Sequence, residues 1–138
     1  MRLLVTGADG FTGRHFVASA RACGNEVVAL QANLNDRDAL IQEVAHVAPE
    51  AVVHLAAISF VGHADASIFY DVNVIGTLNL LDALAALAQP LRSVLLASSA
   101  NVYGNCEQSP ITEAQPPAPV NHYAMSKLAM EHMARTHA

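Results

Sequence analysis

A tyrosine and a lysine stand four residues apart near the end of this 138-residue sequence. In the stretch NHYAMSK, Tyr123 and Lys127 would share one face of a helix, so both side chains could point at one ligand. A phenol with a pKa of about 10 is a poor acid–base catalyst at neutral pH unless a nearby cation lowers that pKa. A lysine one helical turn away is such a cation. The pair therefore indicates acid–base chemistry, although the same spacing also occurs in ordinary helices.

A pair of hydroxyl groups follows the fourth apolar run of the sequence. Ser98 and Ser99 come directly after residues 93–97, which read as a strand. In an open parallel sheet, ligands bind at the carboxyl ends of the strands. A hydroxyl there could hold a carbonyl oxygen beside the phenol, whereas a serine pair at a strand end often only caps the backbone.

A glycine-rich stretch, TGADGFTG, lies between the first predicted strand and the first predicted helix. Glycines at this place allow a tight turn, a close approach of backbone to a pyrophosphate, and contact between helix and strand. The start of the helix adds free N–H groups and the positive end of its dipole. The stretch therefore favours nucleotide binding over a purely structural turn.

The second predicted strand ends in Ala29-Leu30-Gln31, without the acidic residue that commonly binds the adenosine ribose. Gln31 could bond the ribose instead. Arg14, just after the glycines, either meets a 2′-phosphate or faces solvent. The choice between NAD and NADP stays open.

These groups are placed by alternating strands and helices. Apolar runs predict four strands at 2–6, 26–30, 51–55 and 93–97, and periodic spacing predicts helices at 11–23, 36–47, within 65–88, and from about 121 to the end. Continuous apolar strands separated by helices predict an α/β fold of the Rossmann type, a doubly wound parallel sheet. Residues 103–120, with four prolines, must be loop.

The net charge and composition of the chain limit the classes of binding partner to expect. The net charge is −5 without a lysine or arginine run, so neither nucleic acid nor an anionic membrane is an expected partner. The tract 78–96 is interrupted by charges and a proline and cannot span a bilayer, and the N-terminus reads as a strand rather than a signal peptide.

Cys23 and Cys106 have no metal-ligand spacing, which favours two free thiols in a cytoplasmic protein. The histidines, including His54, His63 and His122, lack ligand companions, so no metal site is expected.

Five motifs occur together in this sequence: TGADGFTG, HLAA (54–57), NVIGT (73–77), SSANVYG (98–104) and YAMSK (123–127). In this order they resemble the extended short-chain dehydrogenase/reductases, the NAD-dependent epimerase/dehydratase family, along the whole chain. The resemblance implies a Rossmann fold, a nucleotide-sugar substrate, and NAD or NADP as cofactor.

The resemblance also implies roles for individual residues. Tyr123 would be the acid–base, Lys127 would bond the nicotinamide ribose and lower the tyrosine pKa, and Ser99 would bind the reacting oxygen. The remaining cofactor-binding residues would be Gly7, Gly10, Phe11 and Gly13 at the pyrophosphate, Asn33 and Leu34 beside the adenine, and Leu55, Ala56, Ala57, Asn73 and Ser98 along the rest.

Family dehydratases resemble one another in carrying acids just after the strand-end hydroxyl. Ala100 and Asn101 stand there, so dehydration is disfavoured, and Ala100 also replaces the cysteine of the bifunctional epimerase–reductases. Hydride transfer at a sugar carbon remains, as a 4-keto reduction or a 4-epimerisation. The short passage ALQANLNDRDAL and the stretch SFVGHAD look most like the GDP-4-dehydro-6-deoxymannose reductases. A non-catalytic NAD(P)-binding or dimerisation fragment is the alternative from another class.

Members of the family run to about twice this length. Residues 1–138 are therefore expected to be a partial NAD(P)-binding Rossmann domain that lacks the C-terminal substrate lobe and turns over poorly alone. The segment 72–87 is apolar on nearly every side and needs covering. The resemblance implies a homodimer through helices 65–88 and 121–138, and burial within the monomer is the alternative.

Overall fold

The computed structural model describes residues 1–60, 62 and 64–137. In this part of the chain the strands form a four-stranded parallel sheet with the order β2-β1-β3-β4. The strands are β1 (Arg2–Thr6), β2 (Glu26–Ala29), β3 (Ala51–His54) and β4 (Ser93–Leu96). The predicted Rossmann-type α/β fold is confirmed, and the last three strands each end one residue earlier than expected.

The register brings the carboxyl ends of the strands to one edge. Thr6 at the end of β1 is level with His54 at the end of β3, and His54 is level with Leu96 of β4. The glycine stretch after β1, the HLAA stretch of β3 and the serine pair after β4 therefore leave the sheet side by side.

Helices follow each strand in the predicted order. They are α1 (Phe11–Ala22), α2 (Arg37–Val47), α3 (Ser67–Tyr70), a π-helical segment (Asp71–Gly76), α4 (Thr77–Ala85) and α5 (His122–Ala134), with short 3-10 turns at Ala100–Tyr103 and Arg135–His137. The sequence did not indicate the π-helical segment, which lies inside the long predicted helix.

Two hydrophobic clusters cover the two faces of the sheet, because successive strand side chains point to opposite sides. Leu4 of β1 packs with α2 and α4, whereas Leu3 and Val5 pack with α1. In α2, Leu40 and Val44 are fully buried, one turn apart. Ile41, although apolar and next to Leu40 in the sequence, is 38% exposed, because the helix turns it away from that stripe.

The helix Ser67–Ala85 is long and apolar enough, by length and composition alone, to cross a bilayer. A buried core helix passes the same test, and 44% of this window is buried inside the protein. The helix carries Asn73 and Thr77, both fully buried and hydrogen-bonded to other parts of the chain. These contacts are those of a helix in a protein core.

Candidate active site

The glycine loop closes tightly against the start of the segment that follows β3. Gly7 has φ +66°, and a Cβ at this position would lie 2.7 Å from the amide nitrogen of Ala56. At Gly13, a Cβ would lie 2.0 Å from the carbonyl oxygen of Gly7. Gly7 and Gly13 thus have no space for a side chain, and the left-handed backbone of Gly7 adds a second reason for glycine there.

The first turn of α1 presents backbone donors beside this loop. Gly10 is the residue before the helix, and no side chain in the described part of the chain caps it. The unpaired N–H groups and the helix dipole favour an anion at this end. The neighbouring Phe11 is 77% exposed and packs edge-on against His15. A diphosphate fits this cradle, because side chains are excluded and donors are present.

Lys127 is buried at the carboxyl edge of the sheet. The residue is 3% exposed, and Nζ donates a hydrogen bond of 2.8 Å to the carbonyl of Ala97, just after β4. Burial lowers the pKa of Lys127. The ammonium is therefore held next to Ser98 and Ser99 rather than in solvent.

Tyr123 lies in the first turn of α5, one helical turn before Lys127. Its ring is half-buried and packs edge-on against Phe69, with ring centroids 6.4 Å apart. It lines a cleft of about 480 Å³ together with Tyr70 and His122, and the Tyr70 hydroxyl and His122 Nδ1 are 2.9 Å apart. The phenol thus has open space beside it in which a substrate could lie.

The hydroxyl groups of the two strand-end serines make different hydrogen bonds. Ser99 Oγ accepts a bond of 3.2 Å from the amide of Asn101 and caps the 3-10 turn, so part of its role is structural. The Ser98 hydroxyl donates to the carboxylate of Glu131, which lies one turn after Lys127 on α5. Sequence reasoning missed Glu131, although the spacing of 123, 127 and 131 along one helix face was visible.

Other residues predicted to bind the cofactor fall into two groups. Leu55, Ala56 and Ala57 are half-buried beside the glycine loop, where Ala56 contacts the site of Gly7. Leu34 instead packs in the hydrophobic core, and Asn33 is exposed and accepts a bond from the amide of Asn35 through its side chain. The Leu34 side chain thus supports the sheet face, whereas Asn33 stays accessible after β2.

The end of β2 carries a carboxylate that comes from elsewhere in the chain. Glu43 of α2 accepts hydrogen bonds from the amides of Gln31 and Ala32, at 2.9 and 2.6 Å. The Gln31 side chain bonds back to the carbonyl of Ala29, and Arg14 is exposed on α1. The lack of an acidic residue at the end of β2 in the sequence therefore did not mean the absence of a carboxylate there.

A series of buried polar groups connects these elements and was not predicted. It consists of Thr6, His54, Thr77, Asn73 and Ser126, each at most 1% exposed. Among the described residues, no buried side-chain nitrogen or oxygen lacks a hydrogen-bond partner. His54 is thus a core histidine with both ring nitrogens hydrogen-bonded. His63 lies outside the described residues.

No group of three or more histidine, cysteine or acidic side chains in the described residues could hold a metal ion. Cys23 is exposed and Cys106 is half-buried, and both are free thiols as predicted.

Comparison with known proteins gives a consistent result. Residues 3–138 match the NAD dependent epimerase/dehydratase family. GDP-6-deoxy-D-talose 4-dehydrogenase from Aggregatibacter actinomycetemcomitans is 38% identical over 139 residues, which cover 96% of this chain and 47% of that enzyme.

Solved structures agree with this match. UDP-glucose 4-epimerase from Thermus thermophilus, in complex with NAD, aligns with a TM-score of 0.89 at 30% identity, over 99% of this chain and 50% of that one. RMD from Pseudomonas aeruginosa, complexed with NADPH, aligns with a TM-score of 0.84 at 38% identity, over 96% of this chain and 47% of that one. The chain spans about half the length of these relatives.

Proposed function

Because the chain belongs to the NAD-dependent epimerase/dehydratase family, we propose that it is the cofactor-binding part of a nucleotide-sugar oxidoreductase. The proposed reaction is hydride transfer from NAD(P)H to C4 of a nucleotide 4-keto-6-deoxysugar, with Tyr123 as the proton donor. The family itself, which the motifs had indicated, is confirmed.

The names of the relatives support chemistry at C4. The Aggregatibacter relative is a 4-dehydrogenase of a GDP-linked 6-deoxyhexose, and the Thermus relative is a 4-epimerase of a UDP-linked hexose. Ala100 and Asn101, directly after the serine pair, cannot exchange protons, which disfavours dehydration.

The residues present would divide the work as follows. The glycine loop and the start of α1 would hold the pyrophosphate of the dinucleotide, which supplies the hydride when bound. Tyr123 would donate a proton to the oxygen on C4, and Ser99 would hydrogen-bond the same oxygen. Lys127 would hold the cofactor ribose through its ammonium group.

One observation carries this proposal most strongly. The ammonium of Lys127 is buried on the carbonyl of Ala97, beside the strand-end serines. Burying a charge is costly, and a purely structural position would more often hold an apolar side chain. A buried cation one helical turn from a phenol at a cleft is the arrangement expected of a catalytic site.

The test has two stages. Fluorescence titration of the chain with NADH and with NADPH should give saturable binding, and the ratio of the two affinities would decide the cofactor preference. Turnover would then be followed by loss of reduced nicotinamide absorbance with GDP-4-dehydro-6-deoxymannose, using the chain alone and a chimera with the C-terminal half of the Aggregatibacter relative.

Tyr123→Phe should lower kcat by at least roughly 100-fold, since general acid catalysis is worth about 10²–10⁴-fold, while the affinity for NAD(P)H is kept. Tyr103→Phe, which removes a phenol hydroxyl outside the proposed machinery, should leave both unchanged. Equal activity of the Tyr123 variant and the parent chimera would refute the proposed role.

A nucleotide-sugar 4-epimerase is the second candidate, favoured by the similarity to the Thermus enzyme. An epimerase would interconvert a nucleotide hexose and its C4 epimer without net consumption of NADH. A non-catalytic NAD(P)-binding or dimerisation fragment would bind cofactor and show no phenotype for Tyr123→Phe in the chimera.

We propose in addition a cytoplasmic protein that forms a homodimer through helices 65–88 and 121–138, with no nucleic acid or membrane partner. Exposed apolar side chains on both helices support the dimer: Ile75 is 47% exposed and Met125 is 44% exposed.

A further inference from the structure

A continuous chain of hydrogen bonds runs through the protein interior from the glycine loop to α4. Thr6 Oγ1 and His54 Nδ1 are 2.6 Å apart, and His54 Nε2 and Thr77 Oγ1 are 2.9 Å apart. Thr77 Oγ1 donates to the carbonyl of Asn73 at 2.8 Å. The amide of Ala56 donates to Thr6 Oγ1 at 3.0 Å.

The direction of each bond follows from counting protons. Thr77 Oγ1 has one hydrogen, which it donates to the Asn73 carbonyl. Its oxygen must therefore accept the bond from His54, so His54 Nε2 carries a hydrogen. Nδ1 is then an acceptor, and Thr6 donates to it while accepting from Ala56. Every group is satisfied only with a neutral imidazole in this one tautomer.

A second branch leads from Asn73 to the helix that carries the candidate catalytic residues. The Asn73 side chain accepts from the amide of Ile58 at 2.9 Å and donates to its carbonyl at 3.0 Å. It also donates to Ser126 Oγ at 3.0 Å, and Ser126 donates to the carbonyl of Tyr123 at 2.8 Å. The π-helical segment places the Asn73 side chain at this junction.

The two branches hold opposite ends of one short segment, residues 55–58, after β3. At one end Ala56 is held by Thr6 and lies against Gly7, where even a Cβ would not fit. At the other end Ile58 is held by Asn73, which in turn is bonded to α5. The spacing between the glycine loop and α5 therefore depends on this segment.

We propose that His54 is a positioning residue that fixes residues 55–58 against the glycine loop and so sets the distance between the pyrophosphate cradle and the Tyr123 helix. This inference rests on the proposed function, because it assumes that a dinucleotide spans the two. His54 is only 1% exposed and acts through Thr6 and Thr77. A core residue without this role would contribute to stability and leave cofactor affinity unchanged.

The decisive variant is Thr77→Val, which removes one hydroxyl while keeping the shape of the side chain. Thr77 lies on α4, and its hydroxyl is connected to Thr6, the first residue of the glycine stretch, through the two ring nitrogens of His54. Losing one such bond should weaken NADH or NADPH binding by roughly fivefold. Thr77→Ser, which keeps the hydroxyl, should restore most of the parent affinity. His54→Leu should weaken binding by roughly tenfold or more, and Thr77→Val added to it should have little further effect.

Val44→Ala is the matched control, because Val44 is fully buried in the α2 cluster and bonds to nothing in the polar chain. It should lower the unfolding midpoint in urea while leaving the dissociation constants of NADH and NADPH unchanged. Should Val44→Ala weaken binding as much as Thr77→Val, the effect is general destabilisation and the proposal is overturned. Parent-like affinity of both Thr77→Val and His54→Leu overturns it as well. A parent chain that binds neither nucleotide would instead remove the proposed function, and this inference with it.

Discussion

Gly13 shows how closely the first helix approaches the loop before it. A Cβ there would lie 2.0 Å from the Gly7 carbonyl oxygen and 2.8 Å from the backbone of Ala8, so backbone would have to move. Gly13→Ala should lower the unfolding free energy by about 1–3 kcal/mol through overpacking and weaken NAD(P)H binding at least roughly tenfold, because the cradle opens. Urea unfolding and fluorescence titration measure the two effects.

Gly24 is the matched control. It has φ +79°, but a Cβ would meet nothing within 4 Å. Gly24→Ala should cost about 1 kcal/mol of backbone strain with unchanged cofactor affinity. Equal cofactor affinities for the Gly13 and Gly24 variants would show that the loop is not a pyrophosphate cradle.

His54 should make stability depend on pH. Burial, and secondarily the charge of Lys127, lowers the pKa of His54 from 6.5 to about 4. Between these values the unfolded chain binds a proton that the native protein does not, so stability falls as pH falls from about 6.5 to about 4. The loss across the window is on the order of 3 kcal/mol.

Urea unfolding at a series of pH values checks this, with His54→Gln as the comparison. Glu50 also has a lowered pKa, because its carboxylate accepts a bond from the Arg2 amide, but it affects stability only below its ordinary value of 4.5. Above pH 4.5 the slope should therefore be shallower in His54→Gln. Parallel slopes for the two proteins would contradict the assignment.

At the scale of elements, α5 begins after Asn121, whose side chain accepts from the amide of Ala124 at 2.8 Å. Asp36 caps α2 in the same way, accepting from Ala39 at 3.1 Å. Asn121→Ala and Asp36→Ala should each lower the unfolding free energy by about 1 kcal/mol.

Of these two helices, only α5 carries Tyr123 and Lys127. Asn121→Ala should therefore also weaken NAD(P)H binding, by roughly twofold to fivefold, because the first turn of α5 frays, whereas Asp36→Ala should not. Thermal denaturation measures the loss of stability in each variant, and cofactor titration measures the change in NAD(P)H affinity. If Asp36→Ala weakened NAD(P)H binding as much as Asn121→Ala, the loss of affinity could not be assigned to the position of α5 at the cofactor site.

At the scale of the whole molecule, the proposed homodimer depends on apolar surface that the monomer leaves uncovered. Ile75 of the π-helical segment and Met125 of α5 are nearly half exposed on two helices that pack together. Ile75→Glu and Met125→Glu should each shift the protein to monomer in sedimentation velocity, because a charge would be buried without a partner.

Ile41→Glu is the control, since Ile41 is 38% exposed on α2, outside the proposed interface. It should leave the sedimentation coefficient unchanged. A parent chain that already sediments as a monomer at high concentration would refute the dimer.

Patterns among neighbouring residues were enough to predict most of the strands and helices and to indicate the family. The apolar runs of β1 to β4 and the glycine loop before α1 depend on neighbouring residues, and the strand bounds in the structure agree with the predicted bounds within one residue. The sequence indicated neither the exposure of Ile41 nor the π-helical segment Asp71–Gly76. Which side of a helix faces the sheet is decided by packing.

Partners far apart in sequence were decided only by the tertiary structure. Thr6 and His54 are 48 residues apart, and Asn73 and Ser126 are 53 apart, yet each pair is hydrogen-bonded in the interior. Neither the burial of Lys127 on Ala97 nor the carboxylate of Glu43 at the end of β2 has a local signal. Backbone preferences and hydrophobic periodicity act over a few residues, whereas a buried polar group takes whichever partner the packed elements bring within about 3 Å. The sequence by itself thus determined the kind of protein and its candidate chemistry, and the folded chain decided how the glycine loop and the Tyr123 helix are held relative to each other.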